Sequence, residues 1–255
     1  MTSHLLLVNA GAILVYMTLW FFVAKKRDRL DTVDSAWGSG FVVAAWAVAL
    51  QEPSGRSVLI AGLITLWSSR LTSHLAKRTL TKSEDPRYVE LAKKWQGSKW
   101  VRAYFSIFLL QGLLVWVISL PTVFAVSKQA VKPDLVMTLA IVLWAIGFAI
   151  ESLADRQLAN FLSQPKNKGK TMQSGLWRYS RHPNFFGELT QWWAIGLIAL
   201  QGDHGWIGLI GPLVLSILII FVSGIPPIEK RREGNAEYQA YKRRTSSLIP
   251  LPPRS

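Results

Sequence analysis

Residues 135–153 read LVMTLAIVLWAIGFAIESL, an apolar stretch whose only acidic side chain is Glu151, near its end. At about 1.5 Å per residue, a helix of this length matches the roughly 30 Å hydrocarbon core of a bilayer. Similar stretches recur along the chain, and the sequence predicts seven membrane helices at about 4–24, 36–50, 57–75, 102–126, 135–153, 185–200 and 206–224. The predicted fold class is therefore all-α, a polytopic protein with one membrane domain over residues 1–255.

Basic residues are concentrated in alternate connections between these stretches. Of the 29 Lys and Arg residues, 25 lie in segments 25–34, 76–102, 154–184 and 225–255, whereas the other connections hold 3 and Arg70 lies within a span. Cytoplasmic loops carry the excess of positive charge, so the N-terminus is expected outside and the C-terminus in the cytoplasm. The net charge of +14 then reflects membrane orientation and not nucleic-acid binding.

The composition excludes several kinds of site. With no Cys, a disulfide framework, a thiolate metal site and a Cys nucleophile are ruled out. The four His residues are scattered without metal-ligand spacing, and no Ser has a His and an acid at a recognisable spacing. No G-x-G-x-x-G follows a strand. We therefore expect no metal, no hydrolytic triad and no soluble dinucleotide fold.

The most informative polar stretch is GLWRYSRHPNFFGE, at residues 175–188. Pro183 suits the first position of a helix, whose free N–H groups and positive dipole end then lie beside Arg178, Arg181 and His182. This arrangement predicts an anion site at the cytoplasmic face. Glu188 lies deeper and needs a partner or an aqueous pocket. Alternatively, the Arg and His residues bind lipid phosphates while Glu188 pairs with a neighbouring cation.

Polar residues also mark the ends of the third and fifth spans. Arg70 and His74 share a helical face, and Arg70 is too deep for snorkelling alone to explain it. Ligand binding by Arg70 is therefore one interpretation, and His74 is either a hydrogen-bonded interior histidine or a catalytic one. Glu151 and Asp155 also share a face, where like charges repel unless a donor lies between them. That donor is either a ligand ribose or amide, or an arginine of the protein itself.

The second span and the tail carry weaker signals. Asp34 or Ser35 is expected to cap the second helix, and Gly38 permits close approach of another helix or of a flat ligand. The tail from Glu229 to Pro250 is predicted to form an amphipathic helix at the membrane surface.

Residues 175–188, Asp155 and the tail segment YKRRTSSLIP ending at Pro250 resemble the C-terminal half of the steroid 5α-reductase family. The motifs VDSAWG at 33–38 and EDPRY at 84–88 extend the likeness, which is strongest to bacterial membrane proteins grouped with those reductases. Steroid reductases are seven-span enzymes that bind NADPH from the cytosol and deliver hydride to the β-carbon of an enone. The resemblance implies a bacterial inner-membrane protein with a lipophilic substrate and a cofactor site facing the cytoplasm.

The resemblance also implies roles for individual residues. Asp155, with Glu151 near it, would meet the adenosine part of the cofactor, and Asn184 and Glu188 would hold the nicotinamide end. The phosphates fall to Arg78 and the 2′-phosphate to basic residues of the 156–181 loop, while the tail at 225–255 closes the site. The implied cofactor-binding residues are Arg70, Arg78, Glu151, Asp155, Arg178, Tyr179, Arg181, His182, Asn184, Glu188, Tyr238, Tyr241 and Arg244.

The sequence departs from the steroid enzymes at the substrate carbonyl. Those enzymes hold it with a Tyr on the third span and a Glu on the second, whereas here Leu75 stands at the Tyr position and Asp34 is the nearest acid. Hydride addition to an enone needs a donor to the developing enolate oxygen. Protonated Asp34 and His74 are therefore the predicted catalytic residues, and we expect a substrate different from, or smaller than, a steroid.

Two other functions fit the same residues. Arg181-His182-Pro183 and the tail pattern from Glu229 to Pro250 are also similar to membrane methyltransferases of the isoprenylcysteine and phospholipid type, which bind S-adenosylmethionine. A non-catalytic membrane scaffold is the third possibility. The seven predicted spans and the NFFGE motif at 184–188 favour the reductase, and the oligomeric state stays open.

Overall fold

The computed structural model describes residues 1–81, 83–126 and 135–254, and for residues 74–81 it describes the backbone only. The regular secondary structure of these ranges is helical, and their one β-type pairing is the isolated bridge between Ser180 and Ser246. The helices are α1 (Thr2–Arg27), α2 (Thr32–Gln51), α3 (Gly55–Thr81), α4 (Pro86–Lys93), α5 (Lys99–Phe124), α6 (Leu135–Leu162), α7 (Pro183–Ala199), α8 (Gly205–Lys230) and α9 (Ala236–Arg244). The all-α prediction is confirmed.

Five helices are long and apolar enough to cross a membrane within the described part of the chain: α1, α2, α5, α6 and α8. The other two predicted spans coincide with α3 and α7, of which α7 has only 17 residues. The predicted end of the fifth span near 153 is too early for the helix, since α6 continues to Leu162. A helix need not end where its apolar stretch leaves the hydrocarbon, because its backbone hydrogen bonds are equally satisfied outside it.

By its internal packing the chain divides into two compact units. The first comprises Met1–Lys132 and Ala199–Gly211, and the second comprises Pro133–Ile198 and Pro212–Ser255.

In the first unit, α2 packs closely against both α1 and α3. Asn9 on α1 donates from its side-chain amide to the carbonyl of Ala44 at 2.8 Å, and Ser68 on α3 donates to the carbonyl of Gly38 at 2.6 Å. Arg56, which is only 7% exposed, donates to the carbonyls of Ala125 and Gln201. These buried polar side chains thus find hydrogen-bond partners in backbone carbonyls, which apolar side chains around them would not supply.

The start of α2 differs from the prediction. The helix begins at Thr32 with Asp31 in the N-cap position, so Asp34 and Ser35 lie in its first turn and the expectation that either caps it is wrong. The carboxylate of Asp31 makes no capping bond and accepts instead from the Arg29 side chain and the backbone N–H of Asp85. A tertiary contact therefore replaces the local cap.

In the second unit, α6 and α7 approach closely through glycines. A Cβ atom built on Gly187 would lie 2.6 Å from the backbone nitrogen of Glu151, and one on Gly147 would lie 2.7 Å from the carbonyl oxygen of Gly187. Such contacts between small residues are a common means of helix association in membranes. Pro183 is the first residue of α7, which confirms the prediction for this helix start.

Replacing Gly187 with Ala should separate α6 from α7, because the new methyl group would overlap the backbone of Glu151 and Gly147. We expect a loss of about 1–3 kcal/mol in the free energy of unfolding, measured by thermal denaturation in detergent. Gly62→Ala on α3 is the control, since a Cβ atom at this position would have nothing within 4 Å and the stability should be unchanged or slightly raised. Equal stability of the two variants would contradict the close packing.

Candidate functional site

Asp34, a predicted catalytic residue, belongs to a hydrogen-bonded network in the first unit. The hydroxyl of Tyr88 donates to Asp34 Oδ1 at 2.6 Å, and Arg87 Nη2 lies 3.6 Å from Asp34 Oδ2. Gln111 Nε2 lies 3.5 Å from the Tyr88 hydroxyl oxygen. Burial raises the pKa of Tyr88, and the nearby Asp34 carboxylate raises it further, so the hydroxyl keeps its proton at neutral pH.

The network is held by two loop segments fastened to each other. Asp31 Oδ2 accepts from the backbone N–H of Asp85 at 3.1 Å, and Glu84 Oε1 accepts from the backbone N–H of Leu30. Asp85 also caps α4 by accepting from the backbone N–H of Arg87 at 2.9 Å. The EDPRY motif is therefore positioned by the segment that leads into α2, which brings Tyr88 to Asp34.

Sequence reasoning did not assign Tyr88 a role in the site. The signal was present, since an acidic cap followed by Arg and Tyr stands among the chemically varied residues of this connection. Its partner Asp34 is 54 residues away, and no periodicity relates the two. Arg70, also predicted, lies half-buried on α3, whereas the side chains of His74 and Arg78 fall outside the described residues.

A second polar group lies between α6 and α7 in the second unit. Glu151 is only 3% exposed and accepts from Gln191 Nε2 at 2.6 Å, while the same amide donates to the carbonyl of Gly187 at 3.2 Å. Gln191, a residue that sequence reasoning missed within an apolar span, thus supplies one donor to Glu151. Asp155 and Glu188 lie half-buried on the same two helices.

Four polar atoms on α6 and α7 are buried and have no hydrogen-bond partner among the described residues: Trp144 Nε1, Ser152 Oγ, Asn184 Oδ1 and Gln191 Oε1. Asn184 is one of the predicted cofactor-binding residues. Since nearly all buried polar atoms in native proteins are hydrogen-bonded, a group of unsatisfied atoms indicates hydrogen-bonding capacity that a ligand can use. An amide offers both the donors and the acceptor that such a group requires.

The third group centres on Glu229 at the end of α8. Its carboxylate binds Arg181 at 2.7 Å, Lys242 at 2.7 Å and His182 Nε2 at 3.4 Å. Arg181 also donates to the carbonyls of Lys242 and Thr245 in the tail. The structure therefore places Arg181 and His182, which the sequence predicts to bind an anion, beside a carboxylate of the protein itself.

Tyr241 and Tyr238, predicted for the tail, are both buried on α9. The Tyr241 hydroxyl donates to the carbonyls of Trp177 and Ser180, and burial raises the pKa of both tyrosines.

The α9 helix is shorter than the predicted tail helix and ends at Arg244. Arg178, Tyr179 and Arg244 are exposed, in contrast to the paired Arg181.

The fold and these groups define a class of protein: an all-helical chain with several membrane helices and buried polar clusters near helix ends. No group of three His, Asp or Glu residues in the described ranges is arranged to hold a metal ion. The chain belongs to the family described as protein of unknown function (DUF1295), which it matches over residues 20–245. This family belongs to the broad group of steroid 5α-reductase-like families.

One relative is an uncharacterised protein of the fission yeast Schizosaccharomyces pombe. The two are 27% identical over 234 residues, which cover 79% of this chain and 67% of the yeast protein. No solved structure matches the chain significantly.

Acidification should destabilise the protein through His182. Burial lowers the pKa of His182 from 6.5 to about 4; Glu229 opposes this shift, and Arg181 and Arg232 add to it. The folded state thus holds His182 neutral, so stability present above pH 6.5 is lost as pH falls toward about 4. The loss should reach about 3 kcal/mol, at about 1.4 kcal/mol for each unit of pKa shift.

Thermal unfolding in detergent across this pH range checks the expectation. His182→Gln should flatten the pH dependence, whereas His4→Gln, at an exposed position on α1, should leave it intact. An unchanged profile in His182→Gln would assign the acid sensitivity to another group.

Proposed function

We propose that the protein is a membrane-embedded NADPH-dependent reductase of the conjugated carbon–carbon double bond of a lipophilic enone. The observation that supports this proposal is the unsatisfied Asn184 Oδ1, buried at the start of α7 where the family resemblance puts the nicotinamide end. A nicotinamide carboxamide carries N–H donors for such an acceptor and a carbonyl for a hydroxyl donor such as that of Ser152 on α6.

The residues of the second unit fit a cofactor of this kind. Asn184 accepts from the carboxamide, Glu188 lies one turn further along α7, and Glu151 and Asp155 provide carboxylates for ribose hydroxyls. The family resemblance adds further residues of this unit to the proposed set, namely Arg178, Tyr179, Arg181, His182, Tyr238, Tyr241 and Arg244. It also adds Arg70 and Arg78, which belong to the first unit. When bound, NADPH supplies the hydride for the β-carbon of the enone.

The reaction also needs a hydrogen-bond donor for the enone oxygen, because negative charge builds there as hydride is added. Asp34 and His74 are the proposed catalytic residues, and the network around Asp34 adds a detail to this role. Tyr88 donates to Asp34 at 2.6 Å and keeps its own proton, so Asp34 can donate to the enone oxygen only when it is itself protonated. Arg87, 3.6 Å from Asp34, offsets the carboxylate charge when Asp34 is ionised.

The proposed topology has seven membrane spans, with the N-terminus outside, the C-terminus in the cytoplasm and the cofactor site on the cytoplasmic side of a bacterial inner membrane. It is supported by helices at each of the predicted stretches, including α3 and α7. It is also supported by the 25 Lys and Arg residues of the alternate connections.

Parallel thermal-shift measurements on purified protein distinguish the reductase from a methyltransferase. A ligand at about 100 times its Kd stabilises the folded state by about 2.7 kcal/mol. We expect NADPH to raise the melting temperature, NADH to do so less, and S-adenosylmethionine to have no effect. Stabilisation by S-adenosylmethionine alone would overturn the proposal in favour of methyl transfer.

Asn184→Leu separates a binding role of this residue from a structural one. Leucine is similar in volume and removes a buried acceptor that has no partner in the described structure, so the ligand-free protein should keep its stability or gain some. NADPH binding should weaken at least tenfold, about 1.4 kcal/mol, as measured by titration.

The matched control is Thr190→Val on the same helix, which removes only a local bond from Thr190 Oγ1 to the carbonyl of Phe186. It should bind NADPH as the wild type does. Unimpaired NADPH binding by Asn184→Leu would remove the main support for this assignment.

A further inference from the structure

A cavity of about 480 Å³ lies in the second unit, where the end of the chain folds back on the turn at Gly175–Arg178. Three arginines line it: Arg178, Arg244 and Arg254. Gln173, Ser174 and Tyr241 also line it, and its described lining includes no acidic residue. A neighbouring cavity of about 240 Å³ shares Arg244 and Arg254.

Backbone hydrogen bonds hold the tail segment 244–254 in the position that forms this cavity. The N–H of Arg181 donates to the carbonyl of Ser246, that of Leu251 to Tyr179 and that of Arg254 to Arg244, at 2.8, 3.0 and 2.8 Å. The opposite wall is fastened to α6, because the N–H of Leu176 donates to Gln157 and the indole of Trp177 donates to the carbonyl of Ala154. The three arginines therefore come from two segments that are each fixed.

The positive charge of the arginines in this cavity is not neutralised by carboxylates, in contrast to the charge of the nearby Arg181. Arg181 is neutralised by Glu229 at 2.7 Å, whereas none of Arg178, Arg244 and Arg254 lies within ion-pair distance of a carboxylate of the described residues. Arg244 donates to Gln173 Oε1, and the amide of Gln173 donates in turn to Glu237 at 2.9 Å. Glu237 thus orients the side chain of Gln173 and forms no ion pair with the three arginines. Their guanidinium groups are therefore available to an anion.

We propose that this cavity binds a phosphate monoester, held by the guanidinium groups of Arg178, Arg244 and Arg254. Planar guanidinium groups match phosphate oxygens in pairs, and such charge-assisted bonds are stronger than neutral ones. An anion there also relieves the mutual repulsion of three like charges that share one cavity. This assignment adds Arg254 to the proposed site residues. It rests on the proposed function in one respect, since the 2′-phosphate of NADPH is one source of the monoester. The other source is the headgroup of phosphatidic acid.

Two probes distinguish these sources. Adenosine 2′,5′-bisphosphate is titrated into the purified protein as the soluble source, and thermal stability in phosphatidylcholine nanodiscs with and without phosphatidic acid tests the lipid source. Arg254→Gln and Arg178→Gln are compared with Arg231→Gln, an exposed arginine of the same unit that lines neither cavity. We expect both cavity variants to bind one of the probes at least tenfold more weakly than the wild type, and Arg231→Gln to bind it normally.

The loss should shrink as salt is added, because the three guanidinium groups are partly exposed to solvent. Binding of both probes by the cavity variants at wild-type strength, or an equal loss in Arg231→Gln, would overturn the proposal. Stabilisation by phosphatidic acid that depends on Arg254 would support it even if NADPH did not bind. NADPH binding that ignores Arg178 and Arg254, with no effect of phosphatidic acid, would overturn it and leave the reductase proposal standing.

Discussion

The hydrocarbon core of a bilayer offers no hydrogen-bond partner to the backbone, and the structure of this chain follows from that constraint. Each apolar stretch becomes a helix, which satisfies its own N–H and C=O groups. Polar side chains within helices then need partners, as Asn9 finds at the carbonyl of Ala44 and Glu151 finds at Gln191. A polar atom that stays unsatisfied in such surroundings costs free energy, and Asn184 Oδ1 is informative for that reason.

Glu229 is the acid that organises the polar end of the second unit. Its carboxylate binds Arg181 and Lys242 and lies beside His182, so α8, the segment before α7 and the tail helix α9 meet at one charge. Removing one partner of a buried ion pair leaves the other charge uncompensated, which makes this cluster important for the fold. The anion site proposed above accordingly uses arginines that Glu229 does not neutralise.

Each of the two units, taken by itself, carries different chemistry. In the first, the EDPRY segment brings Tyr88 and Arg87 to Asp34, which combines a neutral hydroxyl, a cation and a carboxyl group. In the second, hydrogen-bonding capacity is left over at Ser152, Asn184 and Gln191, and positive charge is left over at Arg178, Arg244 and Arg254. An enone reductase needs a donor for the substrate oxygen and a site for an amide and phosphates, and these residues have those properties.

The sequence by itself determined the helical fold and the approximate helix positions, since apolar runs and Pro183 act through local backbone energetics that need no distant partner. It also marked the acids and cations near helix ends. Only the tertiary structure decided which of them pair: Asp34 with Tyr88, Glu151 with Gln191 and Arg181 with Glu229 are separated by 54, 40 and 48 residues. The N-cap expected at Asp34 failed for the same reason, because Asp31 and the backbone of Asp85 set the start of α2. Pairings of this kind depend on how helices pack, and packing is a property of side-chain shape across the whole chain that no local pattern contains.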